Sequence, residues 1–394
     1  MTPAARLQAA IELLDEIVAA ARDAGAAADT IGQRYFKQRR YAGSGDRRAI
    51  RELVYRAIRR FGERPANGRA AMLGLAAEDP ALLLLFDGSR HGPSPPDEQE
   101  PRAEGEPLSG WMIEALDPLV RDEDPASLLA RAPLDLRVNR IRGGREAALA
   151  AIPAAEPAPH APLGLRLPEG FRIEAHEAWN SGLVEIQDEG SQLAVAGCGA
   201  ASGMLVVDLC AGAGGKTLAL AAEMDNQGRI VACDTNRARL QRLPPRAERA
   251  GVSIVETRLL DPSREMEQLE DLRGSADLVL VDAPCSGSGT WRRNPETRWR
   301  LSPERLGRLT VLQAYLLDLA AELVRPGGHL VYVVCSLFTA EGRDQAAAFA
   351  GRRSSLISLD PAMAAGRPSG AGRLLTSAHD GTDGFFIARW QRPC

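Results

Sequence analysis

The sequence predicts an α/β protein whose C-terminal part, residues 183–394, winds helices over a doubly wound, mostly parallel sheet, behind two smaller modules. Three observations carry this prediction. From Val184 onward, short apolar runs alternate with stretches of helical periodicity, the pattern of parallel strands joined by crossover helices. Four of those runs end on Asp208, Asp234, Asp282 and Cys335, and in such sheets ligands bind beyond the carboxyl ends of the strands. After the first run stands a glycine-rich stretch, Asp208 to Thr217, where a strand-to-helix turn belongs.

Residues 1–130 read as a helical domain. Leu7, Ile11, Leu14, Ile17, Val18 and Ala21 recur at three-to-four spacing, which predicts a helix over Ala4–Ala24. A second helix follows Asp46, with Ile50, Leu53, Val54, Ala57 and Ile58 on one face. Arg47, Arg48, Arg51, Arg56, Arg59 and Arg60 stand on the other. Such a basic face serves either as solvated surface or as a contact for RNA phosphates. Residues 91–107 are rich in Pro, Gly and acids and read as an exposed loop. Helical pattern resumes from Leu108 to about Arg131. Residues 131–182 read as a small α+β module, with strands at Leu134–Asn139, Leu163–Leu167 and Phe171–Ile173 and a helix at Arg145–Ala151. In the C-terminal part, strands are expected at Met204–Leu209, Arg229–Asp234, Ser253–Glu256, Ala276–Asp282, His329–Val334 and Phe385–Arg389. Helices are expected at Thr217–Glu223, at Arg237–Ala250 with an interruption at Pro244-Pro245, and at Pro303–Val324.

A formal charge of -4 over 394 residues excludes a global basic field. No run of about 18 apolar residues predicts a membrane span, and the N-terminus lacks the pattern of a secretory signal, so a cytoplasmic protein is expected. None of the six cysteines forms a C-x-x-C pair; neither a metal site nor a disulfide frame is expected. Cys198 and Cys394 are assigned no chemistry, and Cys210 and Cys233 are expected to pack beside the glycine loop. Lys37 and Lys216 are the only lysines, which draws attention to Lys216 inside that loop.

The loop fails two familiar tests by one residue each. A phosphate loop needs glycine where Cys210 stands. A nicotinamide fingerprint begun at Gly212 needs glycine where Thr217 stands. With Asp234 placed to hold a ribose diol, the combination indicates a nucleotide or nucleoside cofactor. Asp282-Ala283-Pro284-Cys285-Ser286-Gly287 and Val333-Val334-Cys335-Ser336-Leu337 end adjacent strand candidates, so Cys285 and Cys335 are expected to face one cleft. Trp291, Arg292, Arg293, Trp299 and Arg300 interleave aromatics with arginine, which suits either a packed loop or stacking against bases.

These segments resemble the Nop/Sun (NSUN-type) family of RNA cytosine-5 methyltransferases, and within it the bacterial RsmB type. The resemblance takes in Asp208–Thr217, Asp234, Asp282–Gly287 and Cys335-Ser336-Leu337. It also includes Gln187–Gln192, Arg325-Pro326-Gly327-Gly328 and Gly381–Phe386. The N-terminal part, with Asp46-Arg47-Arg48, is similar to a NusB-like RNA-binding domain, and the 131–182 module to an RRM-like one. Two departures stand out: the family usually has proline where Ala213 stands and threonine where Val334 stands.

The resemblance implies a Rossmann-like class I domain that uses S-adenosylmethionine. It implies cofactor contacts at Cys210, Ala211, Gly212, Ala213, Gly214, Gly215, Lys216, Asp234, Asp261 and Asp282. Cys335 would be the nucleophile, Cys285 would assist product release, and Asp282 would hold the cytosine edge. An ordinary thiol is only slightly ionised at neutral pH, so the site should favour the thiolate, with Lys216 as one source of that field. The implied substrate is RNA, small-subunit ribosomal RNA first and transfer RNA second. Two other readings compete. A DNA cytosine methyltransferase would use Cys285 after Pro284. A ribosome-assembly factor would bind the cofactor without turnover.

Overall fold

The apolar stripe of the N-terminus folds as predicted into α1 (Pro3–Arg22), the first helix of a structure, a computed structural model, that describes residues 1–22 and 25–394. The expected end of that helix, Asp23 and Ala24, lies outside the described residues. The described residues divide into two compact units.

The first unit comprises 1–116, 125–130 and 290–305. It is built on α1, α2 (Ala28–Gln38), α3 (Ser44–Arg60) and α4 (Gly68–Glu78). Leu7, Leu14, Ile17, Tyr35, Ile50, Val54, Ile58 and Leu73 share one buried core, as the spacing of α1 and α3 requires. The segment 290–305 completes this unit by satisfying helix ends. The Glu296 carboxylate accepts from the N–H of Ala28, the first residue of α2 (3.0 Å). The Arg298 guanidinium donates to the Ile58 carbonyl near the C-terminus of α3 (2.5 Å), and the Trp299 indole to Phe61 O (2.8 Å). Helix termini leave such groups without intrahelical partners, and burying them unmet is costly. Trp299 lies in the helical core and Trp291 is fully buried. Of the two readings of this aromatic–arginine stretch, the packed loop is the one the structure adopts.

The second unit comprises 117–124, 131–289 and 306–394. It begins with a four-stranded antiparallel sheet of β1 (Leu134–Val138), β2 (Glu156–Pro157), β3 (Gly164–Leu167) and β4 (Val184–Ile186), in the order β2-β3-β1-β4. The strand expected at Phe171–Ile173 is instead loop and a 3-10 turn, because Gly170 (φ 80°) turns the chain. Val184–Ile186 pairs with β1 in its place, two residues beyond the expected module.

The main sheet contains β5 (Leu205–Asp208), β6 (Arg229–Asp234), β7 (Val255–Leu259), β8 (Ala276–Asp282) and β9 (Val324–Val334). It also contains β10 (Ile357–Leu359), β11 (Arg367–Ser369), β12 (Gly372–Leu375) and β13 (Phe385–Gln391). The order is β11-β12-β13-β9-β8-β5-β6-β7, with β10 on β13. The five strands β5–β9 are parallel, and β13 joins β9 antiparallel. The predicted parallel sheet is therefore the first half of a mixed one. The short strands β10–β12 carry too few residues to show an alternation. The strand order reverses between β5 and β8, so the turns after these two strands flank the crevice of a doubly wound sheet. Val206, Leu278, Leu280, Val331 and Val333 form the core beneath it. The helix expected over Arg237–Ala250 breaks into Arg237–Leu240 and Leu243–Ala250, with the proline pair opening the second piece.

Candidate active site

The predicted site residues all lie in the second unit, at the carboxyl ends of β5–β9. The glycine loop connects β5 to the helix Gly215–Glu223. Gly214 has φ 84°, and a Cβ there would stand 2.1 Å from the buried Leu243 side chain, so the turn requires glycine. Gly212 and Gly215 face open space, with nothing within 4 Å of a would-be Cβ. Asp234, at the end of β6, accepts from Gly212 N (2.8 Å) and Asn236 N (2.6 Å), which ties the loop to the next strand end. Leu260 N donates to Asp234 O (3.0 Å), bringing Asp261 alongside; the Asp261 carboxylate accepts from Gln268 (3.1 Å).

Beneath the loop, the buried Asp208 accepts from the Thr217 hydroxyl (2.6 Å) through one oxygen, while its other oxygen has no partner. Burial, aided by the charges of Asp282 and Asp234, pushes its pKa up to about 7; the Thr217 bond and Lys216 oppose the shift. An open glycine cradle, a carboxylate at the next strand end and a buried oxygen still lacking a donor fit a nucleoside-bearing ligand.

Lys216 leaves this loop toward the cysteines. Its ammonium pairs with Asp282 at 2.8 Å and lies 5.2 Å from the centre of the Phe385 ring. Burial works against its charge, but Asp282 outweighs that and raises its pKa, with Cys335 and Asp208 contributing in the same direction. Cys285, past the end of β8, and Cys335, past the end of β9, bring their Sγ atoms within 3.3 Å. The hydrogen bond to Cys335 is the first reason that the Cys285 thiol is pushed well above its ordinary range; burial adds to it. The raised pKa favours the protonated form of Cys285. Cys198 and Cys233 are buried with pKa values raised to about 12, chiefly by desolvation, and Cys210 is raised well above its ordinary value for the same reason. These three thiols are poor nucleophiles. Among the described residues, no group of three or more His, Cys, Asp or Glu side chains could hold a metal ion. No helix among them is long and apolar enough to cross a membrane.

One group near the cysteines escaped the reading of the sequence. Glu341, fully buried, lies among Gln313, Ser286, Ser288 and Ser336. The one signal was an acid six residues after Cys335 in an otherwise apolar and small-residue stretch, too weak to single out.

The remaining motif residues support this site. Asp188 caps the helix Glu189–Ala196 and accepts from Asp383 N (3.2 Å). Gly384 N donates to Gly289 O (2.8 Å), and neither glycine has room for a Cβ beside the other's backbone.

The strand order and the glycine turn at the switch point define a Rossmann-like methyltransferase fold. Residues 200–391 match the family described as 16S rRNA methyltransferase RsmB/F. Ribosomal RNA small subunit methyltransferase B of Xylella fastidiosa (strain 9a5c) is 34% identical over 266 residues, covering 66% of this chain and 62% of that protein. The Bacillus subtilis (strain 168) protein named probable ribosomal RNA small subunit methyltransferase B is 32% identical over 267 residues, covering 65% and 59%. The chain thus spans about three-fifths of the length of these curated relatives. The solved structure of PH0851 matches with a TM-score of 0.80 at 23% identity, covering 100% of this chain and 99% of that one.

Proposed function

We propose that the chain is an S-adenosylmethionine-dependent RNA cytosine-5 methyltransferase acting on small-subunit ribosomal RNA. The observation that carries this is the pair of cysteines 3.3 Å apart beside the Lys216–Asp282 ion pair, at the mouth of a glycine cradle. The ribosomal substrate is favoured by the names of the relatives. When bound, S-adenosylmethionine supplies the methyl group. Cys210 to Lys216, Asp234, Asp261 and Asp282 would hold it.

The chain's own residues do the rest. C5 of cytosine is a poor nucleophile until a thiolate adds to C6, which makes C5 electron-rich; the covalent route divides one hard step into easier ones. Cys335 Sγ forms that bond. Asp282, held by Lys216, is the carboxylate placed to hydrogen-bond the ring edge. Once C5 carries the methyl group, a base takes the C5 proton, the C5–H electron pair forms the C5–C6 double bond, and the bond between C6 and sulfur breaks with its pair leaving on sulfur as thiolate. Cys285, whose sulfur lies 3.3 Å from that of Cys335, is the group placed to move a proton at that sulfur during release. The target cytosine must leave any base pairing to be reached. The DNA-type reading makes Cys285 the nucleophile instead.

The test is a denaturing gel of the parent, Cys335→Ala and Cys285→Ala after incubation with cofactor and unmodified small-subunit RNA. A slow RNA-linked band in Cys285→Ala, absent in Cys335→Ala, is expected. A band that needs Cys285 and survives loss of Cys335 overturns the assignment of roles. Cofactor binding with no methylated RNA from the parent overturns the enzymatic reading, and methylation of transfer RNA in its place overturns the substrate.

A further inference from the structure

The geometry points to Glu341 as a positioning residue that clamps the two cysteine turns together through their neighbouring serines. This inference deepens the proposed function and rests on it for its catalytic meaning. Glu341 is fully buried, and its two oxygens accept from the turns that follow two different strands. Oε1 accepts from Ser286 N (2.9 Å), the residue after Cys285, and from Gln313 Nε2 (2.9 Å). Oε2 accepts from Ser336 Oγ (2.6 Å), the residue after Cys335. The same Gln313 amide donates to Pro284 O (2.9 Å), the residue before Cys285. Ser288 closes the network, 3.1 Å from Ser336 Oγ and accepting from Leu337 N (2.8 Å). Below, Tyr332 donates to Glu341 O (2.7 Å).

A carboxylate without a basic partner within bonding distance is expensive to bury, and among the described residues hydrogen-bond donors alone compensate this one. Each donor belongs to, or reaches across, the turns that carry Cys285 and Cys335. The carboxylate touches neither sulfur, yet it fixes the backbone on the far side of both. A bond between sulfur and C6 is sensitive to displacement on the ångström scale. Glu341 therefore acts on the chemistry through the spacing of the two sulfurs.

The experiment reads that spacing, and Ser336→Ala separates it from the charge of Glu341, which also raises the Cys285 pKa. Full-length parent, Glu341→Gln and Ser336→Ala are treated with diamide, which takes up two hydrogens as the two thiols join in a disulfide. The rate of the Cys285–Cys335 link is followed by peptide mass spectrometry. Glu265→Gln, a buried carboxylate on another element, is the control. Glu341→Gln is expected to slow the link about tenfold or more, with Ser336→Ala intermediate and the control like the parent. With RNA substrate, kcat should fall on the order of 100-fold while KM for the cofactor stays within about twofold. Parent-like linking in Glu341→Gln, or in Ser336→Ala if the first variant does not fold, overturns the clamp. Slowed linking in a protein whose parent methylates no RNA keeps the clamp and removes the proposed function instead.

Discussion

Asp208 shows how a single side chain can be tuned by where a strand ends. The same residue that closes β5 is driven under the glycine loop, where one oxygen meets Thr217 and the other meets nothing. An acid whose pKa is raised to about 7 in the folded chain holds more protons folded than unfolded between its ordinary value and 7. Its contribution to stability therefore falls as pH rises through that window, by an amount on the order of 4 kcal/mol at most. Asp208→Asn removes the titration. In urea unfolding at pH 5 and pH 8, the parent should lose more stability on going to pH 8 than the variant does; parallel losses would contradict the burial argument. Identity and strand position made Asp208 legible in the sequence, as they did Cys335, Cys285, Asp282 and Asp234. Its orphaned oxygen was not, since that depends on what the fold places above it. Glu341 was invisible for the same reason: its side-chain partners are Ser286, Gln313 and Ser336, two of them far from it in sequence.

At the scale of elements, the glycine loop divides its labour between adjacent residues. Gly214 meets the fold's demand, through a left-handed φ and the Leu243 side chain against it. Gly215, beside it, has open space and leaves the cradle clear. Gly214→Ala should cost about 2–4 kcal/mol of stability through backbone strain and overpacking. Gly215→Ala should cost under about 1 kcal/mol, since alanine suits a first helical turn, while weakening cofactor binding. Denaturant midpoints and calorimetric titration of the two variants separate the roles, and equal stability losses would contradict them. The strands β5, β6 and β8 were legible because buried apolar runs of four to seven residues stand between helical periods. The segment 290–305 was not: the arginine and tryptophan pattern that suits a surface also suits the capping of α2 and α3, and only the hydrogen bonds of Glu296, Arg298 and Trp299 decide between them.

Over the whole molecule, the net charge of -4 means that any grip on RNA comes from local charge. The arginines of α3 are not equivalent. Arg56 and Arg60 pair with Asp79 and Glu78, and Arg59 donates to Leu129 O, so these three serve the helical unit itself. Arg48 and Arg51 are exposed, and Arg47 leans on the Ala42 carbonyl within 5.9 Å of the Phe36 ring. The part of the basic face available to phosphates is therefore the N-terminal half of α3. Each phosphate contact releases counterions, so the logarithm of the binding constant falls with the logarithm of salt in proportion to the number of contacts. Replacing Arg47, Arg48 and Arg51 by Glu should reduce that slope by about 2 if all three contact single-stranded RNA. It should leave the rate of the Cys285–Cys335 link unchanged, because the cysteines belong to the other unit. Replacing Arg56 and Arg60 instead should lower thermal stability more than the salt slope, because those side chains already have acidic partners. If the slope stays at the parent's value in the triple variant, the face of α3 is plain surface and the RNA grip lies elsewhere.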